Sequence, residues 1–219
     1  YQCDWSSDVC SSDLQGTTRK SGNRTVWTGR VNVDDASLND PVKWKRGKRI
    51  FVNSMSDLFH EEVPTDFIRS VWDTMAKCPQ HQFQVLTKRP ERMAAMFAAG
   101  DIFPLPQTWI GTSVESADVI ERISHLVMIP AMTRFISFEP LIGPVGSISL
   151  KGIHWAIVGG ESGPNSRPMA IEWVEQIEKA CRRAGTAFFF KQWGGRNKKA
   201  AGRELRGRTF DEYPSELAA

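Results

Sequence analysis

The feature that most constrains the fold is a regular alternation of short apolar runs with amphipathic stretches. Six runs rich in Ile, Val, Phe and Trp lie at residues 49–53, 83–87, 108–113, 134–138, 154–159 and 187–191. They show little alternation of polar and apolar residues, which is typical of strands buried on both faces of a parallel sheet. Residues 65–77, 91–99, 116–129 and 171–184 place apolar side chains at helical spacing between these runs. Repeated β-α units of this kind predict an α/β fold built on a parallel sheet.

The length of the chain favours one domain rather than two. A chain of 219 residues and 24.6 kDa can bury a core of ordinary size. We predict a single α/β domain over residues 15–219 that ends in a basic C-terminal tail. Six strands, with a further one lost at the N-terminus, suit a partial or full TIM-type barrel. A doubly wound open sheet is the alternative.

The first residues do not fit this pattern. Residues 3–14 have neither helical nor strand periodicity, and they back-translate to a string that resembles a widely used DNA-sequencing adapter. We therefore predict that residues 1–14 are a non-native, adapter-derived segment that packs against nothing, and that the native N-terminus is missing. Cys3 and Cys10 then carry no function. The chain has neither a signal-peptide pattern nor an apolar stretch of about 20 residues, so we expect a cytoplasmic protein without a membrane partner.

Polar residues follow each of the six apolar runs. In a parallel barrel the carboxyl ends of all strands meet at one rim, where active sites of such barrels lie. The candidate catalytic residues are Asp57, Glu115 and Glu139. The candidate ligand-binding or cofactor-binding residues are Asn53, Ser54, Lys88, Thr112, Ser113, Gly159, Gly160, Glu161, Ser162 and Lys191. The alternative is that these groups pair among themselves and hold the loops.

Other motifs are weaker. The sequence His60-Glu61-Glu62 lacks a second histidine at helical spacing, so we predict no metal site there. We expect Cys78 and Cys181 to be ordinary structural thiols, and no Cys-x-x-Cys motif points to an iron–sulfur site in this chain. The C-terminal stretch is basic at Arg196, Lys198, Lys199, Arg203, Arg206 and Arg208. It is either a contact for nucleic acid or a solvated tail.

Four stretches resemble one protein family. They are RIFVNSMSDLFH at 49–60, FQVLTKRP at 83–90, IVGGESG at 157–163 and FFFKQWG at 188–194. The chain is similar to the uncharacterised bacteriophage gene-product 37 / gene-product 68 family over roughly residues 27–214. Members of that family carry an upstream cysteine cluster ending in Cys-x-x-Cys-Tyr that resembles the motif of radical S-adenosylmethionine enzymes.

This resemblance implies a radical-SAM-like barrel that uses S-adenosylmethionine and a [4Fe-4S] cluster in its full-length form. The present chain lacks the cysteine segment, so it is expected to be an inactive fragment without a cofactor of its own. The Gly-Gly-Glu motif of radical SAM enzymes usually follows the second strand, whereas here Gly159-Gly160-Glu161 follows a late one. The resemblance does not indicate the substrate. The alternative function is a non-catalytic module that binds nucleic acid or a phage protein.

Overall fold

The structure is a computed structural model that describes residues 2–4, 16–22, 24–28, 30–53 and 56–214. The described strands are β1 (Gln2–Asp4), β2 (Thr18–Ser21), β3 (Arg24–Trp27), β4 (Arg49–Val52), β5 (Gln82–Thr87), β6 (Thr108–Ser113), β7 (Thr133–Phe138), β8 (Trp155–Gly159) and β9 (Ala187–Gln192). The α-helices are α1 (Asp40–Lys43), α2 (Thr65–Ala76), α3 (Pro90–Ala99), α4 (Arg122–Met128), α5 (Ile171–Ala184) and α6 (Lys198–Ala201).

Seven strands form one parallel sheet in the order β1-β4-β5-β6-β7-β8-β9. All six predicted runs are strands of this sheet, so the predicted parallel α/β architecture is confirmed. The spatial order follows the chain order without reversal, whereas a doubly wound sheet reverses at a switch point. The sheet is therefore consistent with a partial barrel. β2 and β3 pair with each other as a separate antiparallel hairpin.

The N-terminal segment corrects one expectation. Gln2–Asp4 pairs in parallel with the first three residues of β4, with Gln2 opposite Arg49 and Asp4 opposite Phe51. The prediction that residues 1–14 pack against nothing is therefore wrong for these three residues, because backbone pairing requires no particular side chain. Residues 5–15 lie outside the described part of the chain.

Four helices cover one face of the sheet, as their apolar spacing predicts. α2 buries Ile68, Val71, Trp72 and Met75, and α5 buries Val174 and Ile177. Alternate residues of the strands, such as Ile50 and Val52 in β4 and Phe188 and Phe190 in β9, join them in one core. α5 ends at Gly185, whose φ of 69° gives the left-handed cap that the sequence predicts. The predicted helix over 116–129 is split into a 3-10 turn at Ala117–Val119 and α4.

We call the face of the sheet that points away from this core the inner face. Trp109, Phe135 and Trp155 form a second buried cluster there, with Phe189 packed against it. The Trp155 ring lies 5.8 Å from Trp109 and 4.9 Å from Tyr213, measured between centroids. These residues fill the half of the inner face nearest the amino-terminal ends of the strands. Any ligand space on the inner face therefore lies toward the carboxyl ends.

The C-terminal segment covers the free edge of β9. Phe190 N donates to Phe210 O at 2.9 Å, and Phe189 forms an antiparallel bridge with Asp211. Trp155 Nε1 donates to the backbone oxygen of Glu212 at 2.9 Å. The segment thus closes one edge of the sheet and completes the aromatic cluster, which lowers the exposure of an otherwise open strand edge.

Among the described residues, no helix is both long enough and apolar enough to cross a membrane.

Candidate functional site

Polar side chains of neighbouring strands share the inner face at the carboxyl edge of the sheet. Ser113 and Ser137 are register partners on β6 and β7. Because strand side chains alternate with a period of two, Glu115 and Glu139 follow on the same face one layer further out. We call these four residues, together with Lys88 and Lys191, the cleft.

The Glu115 carboxylate is held between two cations. Lys88 Nζ lies 2.5 Å from Oε1, and Arg122 Nη1 lies 3.0 Å from Oε2. The Glu115 side chain is only 12 % exposed, whereas that of Lys88 is 55 % exposed. Oε1 is buried and lies against the Lys88 ammonium group, so each carboxylate oxygen of Glu115 has a cation beside it. A ligand ammonium group can therefore reach Oε1 only by taking the place of Lys88 Nζ.

A second ion pair crosses β8 from β7 to β9. Lys191 Nζ donates to Glu139 Oε2 at 2.9 Å. This contact passes over Gly159, where an added Cβ would lie 3.0 Å from Glu139 Oε1. Gly159 thus gives the Glu139 side chain room to reach the next strand but one, and its role here is to make space rather than to bind.

Two hydroxyl groups lie beneath the ion pairs. Ser113 and Ser137 are 4 % and 6 % exposed, and neither hydroxyl makes a hydrogen bond to another described residue. Neither hydroxyl oxygen is among the buried atoms that lack a partner, so both are open to solvent. The pair therefore offers donors and acceptors to a ligand or to water in the cleft.

Asp57, one of the predicted catalytic residues, is engaged in holding a loop. Its carboxylate accepts hydrogen bonds from Thr87 Oγ1 at 2.6 Å, from Lys88 N at 3.0 Å and from Phe59 N at 3.0 Å. Arg89 Nη1 adds a fourth at 3.0 Å. These contacts tie the loop after β4 to the end of β5. For Asp57, the structure therefore agrees with the alternative that these polar groups pair among themselves and hold the loops.

Glu161 is likewise paired within its own loop. Arg167 donates to its two carboxylate oxygens at 2.8 and 2.7 Å, and Arg167 N adds a third hydrogen bond at 2.9 Å. The side-chain hydrogen bonds from Arg167 lower the pKa of Glu161 to about 2. Glu161 therefore remains ionised, and its hydrogen bonds to Arg167 hold residues 161–167 together as a compact loop.

The loops after β8 and β9 pack tightly on each other. A Cβ added to Gly160 would overlap the carbonyl group of Trp193, coming within 2.7 Å of its carbon. Gly195 N donates to Glu161 O at 2.7 Å, and Gln192 Nε2 donates to Ser162 Oγ at 2.9 Å. Gly160 is thus required for backbone contact between two loops, and the predicted approach of a ligand is not needed to explain it.

Of the remaining predicted residues, Thr112 lies outside the cleft. Thr112 is fully buried, has the strand parity of the helix-covered face and donates to Thr87 O at 2.8 Å. Asn53 has a φ of 60° and donates from Nδ2 to Ser56 Oγ at 2.8 Å. Ser54 lies outside the described residues. Thr112 therefore does not belong to the cleft, and the described contact of Asn53 lies within its own loop.

Sequence reasoning did not identify Ser137, Arg122 or Arg167 as site residues. Ser137 lies inside an apolar run, two residues before the predicted site residue Glu139. Since residues two apart in a strand share a face, this spacing could have indicated that Ser137 lies beside Glu139. Arg122 begins α4 and reaches back to Ser113 O at 2.9 Å. No pattern in the sequence indicates that contact, because it depends on where the helix packs.

Cys78 and Cys181 do not fit an iron–sulfur cluster. Both are fully buried within the helix-side core. Burial raises the pKa of both thiols, and that of Cys181 to about 12. Cluster ligands must be thiolates, which these environments disfavour. No group of three His, Cys, Asp or Glu side chains suited to a metal ion occurs within the described residues.

We expect neither of these thiols to react with Ellman's reagent in the folded protein. The variant Cys3→Ser/Cys10→Ser removes the other two cysteines, so that every observed reaction belongs to Cys78 or Cys181. Native protein should show no fast labelling, and both thiols should react once a denaturant is added. Rapid labelling of the native variant would contradict the burial of these side chains.

Three of the six cations in the basic C-terminal stretch have carboxylate partners. Arg203 pairs with Asp211, and Arg206 pairs with Glu178. Arg208 Nη2 lies 4.0 Å from Glu178 Oε1. These pairs join the stretch to α5 and to its own end, so three of its arginines have partners within the chain. That arrangement weakens the interpretation of this stretch as a contact for nucleic acid.

Comparisons with known proteins place the chain in a family. No curated protein and no solved structure matches it. One family model, described as protein of unknown function (DUF5131), matches residues 3–214. This match takes in nearly the whole chain, including most of the segment that we predict to be non-native. The chain belongs to the DUF5131 family of proteins of unknown function.

Proposed function

We propose that the cleft binds a small zwitterionic ligand of the α-amino-acid class, and that this ligand is the methionine part of S-adenosylmethionine. One observation carries the proposal. Two ion pairs, Lys88 with Glu115 and Lys191 with Glu139, stand side by side above two hydroxyls without partners among the described residues.

The charges of the cleft match those of an amino acid. The carboxylates of Glu115 and Glu139 accept from an ammonium group, and the ammonium groups of Lys88 and Lys191 donate to a carboxylate. The lysines are the exposed partners and the carboxylates the more buried ones. A ligand ammonium group that displaces a lysine takes its place beside the carboxylate, so the largely buried carboxylate is not left without a cation.

Residues of the cleft have separate roles in this proposal. Glu115 and Glu139 hold the ligand ammonium, and Ser113 and Ser137 hydrogen-bond the ligand from below. Arg122 keeps the Glu115 carboxylate in place through its 3.0 Å contact. S-adenosylmethionine, when bound, supplies a reactive sulfonium group to this edge of the sheet. Because Cys78 and Cys181 do not fit an iron–sulfur cluster, the proposal concerns the binding of this molecule alone.

Calorimetric titration with S-adenosylmethionine and S-adenosylhomocysteine tests the proposal. We expect saturable binding that Glu139→Gln weakens about tenfold, which corresponds to about 1.4 kcal/mol. Ser113→Ala/Ser137→Ala should weaken it similarly while leaving the melting temperature nearly unchanged, because these hydroxyls make no described hydrogen bonds. Methionine should compete, whereas adenosine, which has no amino-acid group, should not.

Glu161→Gln is the matched control. It removes a carboxylate from the same edge of the sheet, but one that is bound by Arg167 rather than facing the cleft. Its affinity for the ligand should stay within about twofold of wild type, whereas Glu139→Gln is expected to lower the affinity about tenfold. Equal binding by wild type and Glu139→Gln, or no binding of any amino-acid ligand, would refute the proposal.

A further inference from the structure

A dense basic segment leads into β4 and includes its first residue. It lies at the amino-terminal end of this strand, whereas the cleft lies at the carboxyl ends of the strands. It lies at residues 43–49, and we call it the basic strip. Its cations are Lys43, Lys45, Arg46, Lys48 and Arg49. We propose that the basic strip binds the phosphate backbone of a nucleic acid. This proposal is independent of the ligand proposed for the cleft.

The positive charge of the chain is concentrated in the part of the sequence that contains this strip. Residues 15–50 hold nine Lys and Arg against three Asp, a formal charge of +6. Residues 51–219 hold nineteen of each sign, and residues 1–14 hold three Asp alone. The whole excess of positive charge therefore lies within one short part of the chain, although the net charge of +3 looks unremarkable.

Three cations of the strip meet no carboxylate among the described residues. Lys45 and Arg46 are exposed and lack an ion pair, and Lys48 Nζ lies 4.0 Å above the Trp44 ring instead. Lys43 pairs with Asp40 at 2.7 Å, and Arg49 donates from Nε to Gln82 Oε1. The strip thus presents uncompensated positive charge to solvent.

Many cations elsewhere in the described chain have carboxylate partners. Examples are Arg69, Lys88, Arg167, Lys191, Arg203 and Arg206. A cation that already holds a carboxylate must break that contact before it binds a phosphate. Lys45, Arg46 and Lys48 therefore bind a phosphate without first breaking an ion pair to a described residue.

The backbone of the strip is held in place by its neighbours. Lys48 N donates to His81 Nδ1 at 3.2 Å, and Lys48 O accepts from Gln82 N at 2.8 Å. His81 is 1 % exposed and its Nε2 lies 3.0 Å from Pro41 O. A segment that is already ordered loses less conformational entropy when it binds a partner.

The chemistry of the strip favours nucleic acid over a membrane. Trp44 is its only aromatic residue, and its ring packs edge-on against His81 at 5.9 Å with Lys48 above it. The strip itself therefore has no free apolar side chain to insert among lipids, and the adjoining Val42, at 49 % exposed, is a single small one. A nucleic acid, in contrast, presents an uninterrupted row of negative charges to a dense set of cations.

Fluorescence anisotropy with labelled strands of about 20 nucleotides, long enough for one site, tests the inference. Single-stranded RNA, single-stranded DNA and a duplex are compared over about 50–200 mM salt. We expect Lys45→Gln/Arg46→Gln/Lys48→Gln to bind at least about tenfold more weakly and to lower the salt slope by about 2–3. Its melting temperature should match that of wild type.

The control is Lys151→Gln/Lys179→Gln/Arg183→Gln, which removes three exposed cations from other parts of the surface. It changes the net charge equally and should bind nucleic acid nearly as wild type does. Three results would overturn the inference: no nucleic-acid binding at the lowest salt, an equal loss in the control, or tighter binding to anionic vesicles or poly-glutamate than to any strand. A preference between single strands and duplex then identifies the form that is bound.

Discussion

Gly160→Ala is expected to destabilise the protein by about 3 kcal/mol, the upper end for overpacking a tight contact. The added Cβ would overlap the Trp193 carbonyl, and the obstacle is backbone rather than a flexible side chain. Relief requires the loops after β8 and β9 to separate, which would lengthen the 2.7 Å hydrogen bond from Gly195 N to Glu161 O. Thermal unfolding should show a melting temperature lower by about 6–12 °C for a domain of this size.

Gly146→Ala is the control for this variant. Gly146 has a φ of 68° and nothing within 4 Å of its ideal Cβ, so its replacement carries only conformational strain. We expect a loss of about 1–2 kcal/mol there. If Gly160→Ala costs no more than Gly146→Ala, the two loops do not pack as described.

Trp155→Ala is expected to have the largest effect on the inner face, about 4 kcal/mol. The indole contacts Trp109, Phe135, Phe189 and Tyr213, and it also binds the backbone of the C-terminal segment. Its removal leaves a cavity and releases that segment from the edge of β9. Trypsin should therefore cleave the native variant faster in the arginine-rich part of the C-terminal segment, which timed proteolysis without denaturant would detect. Denaturant unfolding measures the loss of stability separately.

Trp155→Phe separates packing from hydrogen bonding. It keeps an aromatic ring but loses the donor to Glu212 O, which we expect to cost about 1–2 kcal/mol. Cleavage of the C-terminal segment should rise less than in Trp155→Ala. Wild-type protease resistance in the alanine variant would show that the segment is held by contacts other than Trp155.

The strands and most helices could be predicted from the sequence because their signals are local. An apolar run such as Trp109 to Gly111 indicates a strand by composition alone, and the spacing of Phe67, Ile68 and Val71 indicates a helix without reference to the rest of the chain. The 3-10 turn before α4 was missed, since both kinds of helix place apolar residues at similar intervals.

The position of the cleft could also be predicted in part. Lys88, Glu115, Glu139 and Lys191 follow apolar runs, and parallel strands end at one edge, so direction alone indicates that they lie near each other. Which lysine pairs with which carboxylate could not be predicted, because that depends on register and on side chains crossing intervening strands. Asp57 shows the limit of the rule, since it follows a strand but holds a loop.

By itself the sequence determined the parallel α/β architecture, the succession of strands and the edge at which polar groups gather. Only the tertiary structure decided that Gly159 leaves room for the Glu139 side chain and that Gly160 packs against the Trp193 carbonyl group. It decided as well that Ser113 faces the cleft while Thr112 faces the helices. It also decided that both Gln2–Asp4 and the C-terminal segment pair with edge strands. The reason is physical: periodicity is a property of neighbours along the chain, whereas close approach, strand register and edge pairing arise between segments that are distant in sequence.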